Sequence, residues 1–375
     1  MKKDFFGDFS LYIHIPYCVS KCAYCDFLSF SDMSSKEDYF DALCGEIKKA
    51  GRKYPRPLDN VYVGGGTPSV AVSFFSKLKE AVFSSFEVRS DAEISMECNP
   101  ESVTEDFVAA AKDFGVNRIS LGVQSLSDPL LRRIGRAHDR KQALRALDLL
   151  TRSFSRVNAD MMVGLPGETE REVSETLRVF LDKGLSHVSC YSLILERGTR
   201  LYREAKKGDF TPDEDRAVEM YDMACAALSK GGLSRYEISN FAREGEECRY
   251  NLSVWQYADY LGLGLGASSF IKTSDPFALR RYRAPVKMEN YLEGKRPRTL
   301  EVSSSEGKEE FIMLGLRTTQ GLSISHFNAL FAADFLSEYA EKLSRLRPYL
   351  LISEERVAIK PEHFYVSNAI ISELI

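Results

Sequence analysis

The feature that most constrains the fold of this chain is a regular alternation of short apolar segments with longer helical patterns. It runs through roughly the first 270 of the 375 residues and is typical of βαβ units around a parallel sheet. We count six such units, fewer than a complete TIM-type barrel contains. The pattern therefore predicts an α/β fold built on an incomplete (β/α)6 TIM-type barrel that is open on one side.

Each predicted strand is short and apolar, and each is followed by a pattern with helical periodicity. The predicted strands are residues 11–16, 60–64, 92–97, 117–123, 157–162 and 187–195. The predicted helices are residues 36–49, 73–83, 105–114, 140–152, 170–182 and 212–229. We interpret the segment LGLGLGA at 261–267 as structural, and we place the barrel domain at residues 1–272.

The rest of the chain predicts a smaller, mostly helical domain at residues 299–375. Between 273 and 298 the composition shifts to Pro, Arg and Lys, which marks a crossing segment or domain boundary. The elements that follow are helices at 305–316, 323–331 and 334–346, strands at 350–352 and 357–360, and a final helix at 366–374. That order resembles a winged helix.

The charge balance argues against nucleic acid as a partner. The chain has 50 Lys and Arg against 54 Asp and Glu, and residues 306–375 have seven against ten, so neither the whole chain nor the winged-helix-like part attracts phosphate. There is no apolar run of about 18 residues and no signal-peptide pattern at the start, so we expect no transmembrane segment and a cytoplasmic protein. Thiols stay reduced in that compartment, which makes clustered cysteines candidate metal ligands.

Three cysteines follow the first predicted strand at the spacing C-x3-C-x2-C, namely Cys18, Cys22 and Cys25. Structural zinc prefers four ligands, and only His14 and Asp26 are close in sequence to supply a fourth. An iron–sulfur cubane is the better interpretation, because three thiolates would hold three irons and leave the fourth iron open. That open iron could bind the amino and carboxylate groups of S-adenosylmethionine, whose sulfonium is cleaved when the reduced cluster donates an electron.

The loop IPYCVSKCAYCDF resembles the cluster loop of the radical S-adenosylmethionine superfamily, including the aromatic residue before the third cysteine. Polar or glycine residues also follow the predicted strands, at the barrel end where functional residues collect. Taken singly they could be tight turns, a solvated carboxylate or helix caps, but together they favour one ligand site. The residues are Gly64, Gly65, Gly66, Thr67, Glu97, Asn99, Gln124 and Asp160.

The whole pattern resembles one branch of that superfamily, the coproporphyrinogen III oxidase-like proteins. Supporting segments are MMVGLPGET at 161–169, YSLILERGT at 191–199 and YEISNFA at 236–242. The resemblance implies a 4Fe-4S cluster on the three cysteines. It also implies that S-adenosylmethionine contacts Tyr12, Tyr24, Gly65, Gly66, Thr67, Glu97, Gln124, Arg136 and Asp160.

Two kinds of protein share this layout, an oxygen-independent oxidase and a heme chaperone. The oxidase has a longer N-terminal extension and a further cysteine just beyond the triad, whereas here Cys25 is followed by Asp26 and Phe27. The chain is therefore more similar to the chaperones, which implies heme as cargo, heme-accepting partner proteins and an electron donor for the cluster. The alternatives are radical decarboxylation of coproporphyrinogen III, and radical modification of tRNA, which the acidic balance disfavours.

One departure concerns heme coordination. The chaperones usually carry His-Asn-x-x-Tyr-Trp after the YEISNFA segment, and Tyr250 and Val254 stand here in place of that histidine and tyrosine. A second usual histidine is replaced by Ser268. Since tyrosinate and thiolate can also ligate heme iron, we predict that Tyr250 or Cys248 takes this role.

Overall fold

The computed structural model describes residues 8–274 and 277–375, so seven residues of the predicted barrel domain and two of the predicted crossing segment lie outside the described residues. The strands are β1 (Phe9–Ile15), β2 (Leu58–Gly65), β3 (Val88–Cys98), β4 (Arg118–Gln124), β5 (Arg156–Val163), β6 (His187–Ser192), β7 (Ser234–Arg235), β8 (Asn240–Ala242), β9 (Asp259–Leu263), β10 (Ser268–Ser274), β11 (Phe277–Arg283), β12 (Arg298–Val302), β13 (Leu322–Ser323), β14 (Leu350–Ile352) and β15 (Arg356–Ile359).

Helices separate most of these strands, together with short 3-10 segments at Pro68–Phe74, Pro100–Ser102 and Pro361–Val366. The α-helices are α1 (Lys36–Lys53), α2 (Phe75–Ser85), α3 (Glu105–Phe114), α4 (Asp128–Arg133), α5 (Arg140–Ser153), α6 (Glu170–Asp182), α7 (Arg200–Lys207), α8 (Glu214–Lys230), α9 (Arg249–Trp255), α10 (Met288–Leu292), α11 (Ser304–Gly315), α12 (Ile324–Phe331), α13 (Phe335–Glu338), α14 (Ala340–Leu346) and α15 (Ser367–Leu374).

One large sheet organises the first part of the chain. Strands β1 to β6 pair in parallel in chain order, and each is followed by a helix. Strand β9 pairs in parallel with the other side of β1 and continues into the antiparallel strands β10, β11 and β12. Among the described strands, β12 and β7 are the two ends of the sheet, so the sheet is open. The predicted α/β class is confirmed; the count of six barrel units stays a prediction, since strand order does not measure curvature.

The helices cover the sheet because each has one apolar face. Helix α6 shows this arrangement, with Val173, Leu177 and Phe180 buried at helical spacing and a capping box at its start. Strand β4 is buried along its whole length, as expected for a strand of a parallel sheet with covered faces. Within residues 8–274 and 277–375, no helix is long and apolar enough to cross a membrane.

The C-terminal domain is mostly helical, as predicted, and adds a three-stranded sheet in the order β13-β15-β14. Its core contains Phe311, Phe327 and Phe335, and it also includes Phe270 of β10 and Tyr257, which lies just before β9. The predicted helix 334–346 is divided at Tyr339 into α13 and α14. The segment predicted as a crossing carries β11 and α10, and the predicted domain boundaries stay a prediction.

Candidate cofactor site at the carboxyl end of the parallel strands

A cavity of about 310 Å3 opens where the carboxyl ends of the parallel strands meet. It brings together residues of strands β2 to β6 and of the loops after β1 to β4, which are far apart in the chain. Of the residues predicted for the cluster and for S-adenosylmethionine, the cavity is lined by Cys18, Cys22, Cys25, Tyr24, Gly65, Gly66, Glu97, Gln124, Arg136 and Asp160. Thr67 lies just behind this lining, and Tyr12 lies in a neighbouring cavity described below.

The cysteine loop is held to the rest of the fold by backbone hydrogen bonds. Cys18 N–H donates to Phe30 O at 2.9 Å, and Ala23 N–H donates to Ile134 O at 2.8 Å. The thiols of Cys18, Cys22 and Cys25 are free and partly exposed to the cavity. The loop is thus fixed in position, and it presents three free sulfurs to one cavity. Such a set of donor atoms suits an iron–sulfur cluster with one open iron.

Glycines after β2 let the backbone come close to this loop. A Cβ at Gly66 would lie 2.7 Å from the carbonyl oxygen of Tyr17 and 3.0 Å from Cys18 Sγ. Gly65 has a φ of +116°, and a Cβ there would lie 2.5 Å from His14 Nδ1. Only glycine fits at both positions, so the predicted role of these two residues in close backbone approach agrees with the local geometry.

A chain of hydrogen bonds links two of the cysteines through three other loops. Thr67 Oγ1 donates to Cys18 Sγ at 3.4 Å and accepts from Asn99 Nδ2 at 2.8 Å. Arg136 donates from Nη2 to Asn99 Oδ1 at 2.8 Å and from Nη1 to Cys22 Sγ at 3.5 Å. Both sulfurs therefore accept a hydrogen bond from a residue of another loop, as metal-binding sulfurs commonly do.

Asn99 is the central member of this chain, and the sequence pattern marked it only as a polar residue after a strand. Its amide donates on one side and accepts on the other, which neither aspartate nor leucine could do. The Asn-Pro pair after β3 was the available signal. What it could not indicate is the pairing with Thr67 and Arg136, which depends on three loops meeting in space.

Two carboxyl groups form the acidic wall of the cavity. Glu97 accepts from Tyr62 Oη at 2.8 Å and from Gly65 N–H at 2.9 Å, and burial raises its pKa to about 7. Asp160 accepts from Asn158 Nδ2 at 2.7 Å, and burial raises its pKa as well. Buried carboxyl groups of this kind are suited to cationic or hydroxyl-bearing ligands, because a nearby positive charge or hydrogen-bond donor stabilises the carboxylate that burial destabilises.

Gln124 occupies a strained backbone position at the end of β4. Its φ is +67°, in the left-handed region, and the pairing of β4 with β5 shifts register between Gly122 and Gln124. The irregularity turns Gln124 toward the cavity, which it lines. Strain of this sort is kept where the surrounding structure fixes it, commonly at ligand sites.

His14, considered above as a fourth metal ligand, has both ring nitrogens occupied. Tyr12 Oη donates to His14 Nδ1 at 3.0 Å, and His14 Nε2 donates to the carbonyl oxygen of Leu28 at 2.9 Å. Burial lowers the pKa of His14 and favours the neutral ring. The histidine therefore fixes Tyr12 and the cysteine loop in place.

A second cavity, of about 510 Å3, adjoins the first, and Tyr191 and Asn251 line both. Its other aromatic lining residues are Tyr12, Tyr250, Trp255 and Tyr260. Ser268 lines it too, so both positions at which the chaperones usually carry histidine face the same cavity. The other predicted heme ligand, Cys248, is fully buried, lines neither of these two cavities and donates from Sγ to Glu93 Oε1 at 3.5 Å.

Comparisons with known proteins agree with this geometry. Family models described as the Radical SAM superfamily and the HemN C-terminal domain match residues 12–180 and 303–368. The heme chaperone HemW of Lactococcus lactis subsp. lactis is 31% identical over 376 residues, covering 98% of this chain and 97% of that protein. HemW of Escherichia coli is 34% identical over 316 residues, covering 81% of each.

Among solved structures, coproporphyrinogen III oxidase (HemN) from Escherichia coli matches with a TM-score of 0.83, covering 98% of this chain and 90% of that one at 22% identity. At that identity the likeness shows a common fold. The chain is thus a member of the radical S-adenosylmethionine superfamily. Within it, the chain belongs to the family of the heme chaperone HemW, whose members exceed 30% identity over most of both chains.

Replacing Gln124 tests the strain in its backbone. Gln124→Gly and Gln124→Ala remove the same side-chain polar group, but only glycine adopts a positive φ without penalty. We expect the glycine variant to have a free energy of unfolding about 1 kcal/mol higher than that of the alanine variant. Urea denaturation of both proteins measures the difference, and an alanine variant as stable as the glycine variant would contradict the strained backbone.

The raised pKa of Glu97 predicts a pH dependence of stability. Because the folded protein holds the Glu97 proton up to a pKa of about 7, this group stabilises the fold at low pH and the contribution is lost as pH rises through 7. Glu97→Gln cannot titrate. Between pH 5 and pH 8 we expect the wild-type free energy of unfolding to fall relative to that of Glu97→Gln by about 2 kcal/mol. Urea denaturation at both pH values checks this, and parallel pH profiles would show that Glu97 is not buried as described.

Proposed function

We propose that this protein binds heme and passes it to heme-requiring proteins, on a scaffold that holds a 4Fe-4S cluster and S-adenosylmethionine. The carrying observation is the aromatic cavity beside the cysteine cavity. Tyr250, Trp255 and Ser268 come from two separate segments of the chain that correspond to the heme-related motifs of the chaperones, and all three line this one cavity. The relatives in the HemW family are described as heme chaperones.

The cluster would be held by Cys18, Cys22 and Cys25. Support comes from the three free thiols on one cavity and from the donors that Thr67 and Arg136 aim at two of the sulfurs. When bound, such a cluster supplies electrons and one iron open to a chelating ligand. The residues of the chain hold the thiolates, fix the loop and limit access of water to the sulfurs.

S-adenosylmethionine would occupy the space between the cysteines and the acidic wall. Its amino and sulfonium groups are positive, and Glu97 and Asp160 offer the carboxyl groups that face this space. Gly65 and Gly66 leave room for the ligand against the backbone, and Gln124 and Arg136 offer further polar groups that line the same cavity. These residues bind and orient the cofactor.

Heme would lie in the aromatic cavity, with Tyr250 as the better candidate for the iron ligand. The ring of Tyr250 packs 4.9 Å from that of Tyr62 and 6.2 Å from that of Tyr12, centroid to centroid, which fixes its direction. Burial raises the pKa of Tyr250, so the phenol is protonated until a metal replaces the proton. Cys248 is the weaker candidate because its sulfur is enclosed beside Glu93.

Heme acceptors would approach the open mouth of the two cavities. Phe27 on the cysteine loop is a large exposed apolar side chain that lines the first cavity, and Val19 on the same loop and Ile194 after β6 are also exposed. Exposed apolar residues around a ligand site are typical of surfaces that contact another protein. Cysteines reserved for a cluster need a reducing compartment, which supports the cytoplasm as the location and implies an electron donor there.

The cluster is tested by anaerobic reconstitution with iron and sulfide. We expect about four irons in the wild type, almost none in the Cys18→Ala, Cys22→Ala, Cys25→Ala variant, and the wild-type amount in Cys44→Ala, which removes a buried cysteine of α1. The electron paramagnetic resonance spectrum of the reduced wild type is expected to change when S-adenosylmethionine is added. Zinc without iron, or a spectrum that ignores the cofactor, would refute the proposed cluster.

Heme binding can be followed through the only tryptophan of the chain, Trp255, which lines the aromatic cavity. We expect heme to quench Trp255 fluorescence and to give a Soret band that shifts in Tyr250→Phe. Tyr260→Phe removes a hydroxyl from the same cavity and is the matched control. We expect its Soret band to match the wild type, because Tyr260 is not assigned to the iron.

The outcomes separate the site from the ligand. Heme that binds without quenching Trp255 would place the cargo elsewhere on the protein. A Soret band identical in wild type and Tyr250→Phe would remove Tyr250 as the iron ligand. Conversion of coproporphyrinogen III to a decarboxylated product by the reconstituted protein would replace the chaperone function with the oxidase function.

A further inference from the structure

One charged side chain in the cysteine cavity makes no hydrogen bond in the described part of the chain, although its positive charge helps to lower the pKa of the nearby Glu93 carboxyl. Arg118, the first residue of β4, is 2% exposed and lines the cavity wall. Within residues 8–274 and 277–375 its guanidinium makes no side-chain hydrogen bond or ion pair. Other cations inside the large sheet do have partners: Arg156 Nη1 lies 3.0 Å from Glu93 Oε2, and Lys272 Nζ lies 3.6 Å from Asp259 Oδ1.

The acceptors around Arg118 are already used by other donors. Glu93 accepts from Arg156, from Ser95 Oγ and from the backbone N–H groups of Arg249 and Tyr250. The two carboxyl groups of the acidic wall are bonded as described above. Arg118 therefore contributes a buried positive charge whose N–H groups face the cavity.

A second network of hydrogen bonds, to which the cavity-lining residues Asn158 and Ser189 belong, consists of uncharged groups. His187 Nδ1 donates to Asn158 Oδ1 at 2.7 Å, and its Nε2 accepts from Tyr236 Oη at 2.8 Å. Ser189 Oγ also donates to Asn158 Oδ1, at 3.2 Å. These groups satisfy each other, and none of them offers Arg118 a negative charge.

Buried N–H groups of a guanidinium that lack acceptors are costly, and an anion with good geometry offsets that cost. Guanidinium is planar and presents two parallel N–H groups, which match the two oxygens of a carboxylate. We infer that Arg118 is the receptor for a carboxylate of a ligand that enters this cavity. A ligand carboxylate would supply the missing acceptors without any change in the fold.

The carboxylate is that of a heme propionate, an assignment that rests on the proposed function. Heme carries two such side chains at one edge of its ring. The aromatic cavity proposed for the ring shares Tyr191 and Asn251 with the cavity that Arg118 lines. The carboxylate of S-adenosylmethionine is the other source of the same chemistry, and it is already assigned to the open iron.

The test compares heme with heme dimethyl ester, in which both carboxylates are blocked. We expect the wild type to bind heme about ten to a hundred times more tightly than the ester, the gain of a charge-assisted hydrogen bond in a buried site. Arg118→Met is expected to bind both ligands with equal affinity, near that of wild type for the ester. Arg118→Lys keeps the charge and is expected to recover part of the preference.

Arg156→Lys is the matched control, since Arg156 faces Arg118 across the β4–β5 pairing and keeps its ion pair with Glu93. Thermal unfolding checks that each variant folds, because Arg118 also offsets part of the charge of Glu93. Arg118→Lys serves if the methionine variant does not fold.

Each outcome decides a separate question. If wild type binds heme and ester equally, or if Arg118→Met keeps the preference, the role of Arg118 is overturned while heme binding stands. If wild type binds neither ligand, the proposed function fails and the inference fails with it. If Arg118→Met loses affinity for S-adenosylmethionine and keeps the preference for free heme, the carboxylate at Arg118 belongs to the cofactor and the assignment to heme is wrong.

Discussion

The parallel pairing of β1 with β2 is the constraint on which the site depends. Its register places Ile15 opposite Gly65, so the residues that follow both strands are forced to meet. Gly66 N–H donates to Ile15 O at 2.8 Å and Thr67 N–H donates to Tyr17 O at 2.7 Å, which continues the pairing beyond the strands and brings Thr67 to Cys18. A shift of one residue in this register would turn the cavity-facing side chains to the helix-covered face.

The interior of the large sheet is polar where a sheet of this kind is ordinarily apolar. Hydroxyl, amide and charged groups from β3, β4, β5 and β6 bond to one another, and this arrangement keeps the cost of their burial low. Arg118 is the exception to that balance, and Gln124 is the exception to relaxed backbone geometry. Both exceptions line the same cavity. Folded proteins commonly keep such locally unfavourable features at ligand sites.

Sequence periodicity predicted the elements best where local signals were complete. Helix α6 begins and ends at the predicted residues because a capping box fixes its start and its apolar spacing is regular. The hairpin of β10 and β11 was missed, since Arg280, Arg281 and Arg283 gave the second strand the composition of a connection; in the fold Leu279 is buried, and Arg281 bonds Glu310 of α11. Site residues were recognised by motif. The bonds through Asn99 and the position of Arg118, whose guanidinium makes no hydrogen bond within residues 8–274 and 277–375, arise from tertiary packing, which no local pattern encodes.

The core of the C-terminal domain is not closed on itself. Phe270 and Leu279 of the large sheet are packed within it, together with Tyr257 from the turn before β9. Gly307 of α11 lies so near Leu279 that a Cβ there would be 2.4 Å from that side chain. The large sheet and the C-terminal domain therefore share a continuous hydrophobic interface and are not joined by a hinge. A chain ending before α11 would expose that interface to water. The cysteine-bearing part alone would therefore not keep this edge of the sheet in its native state.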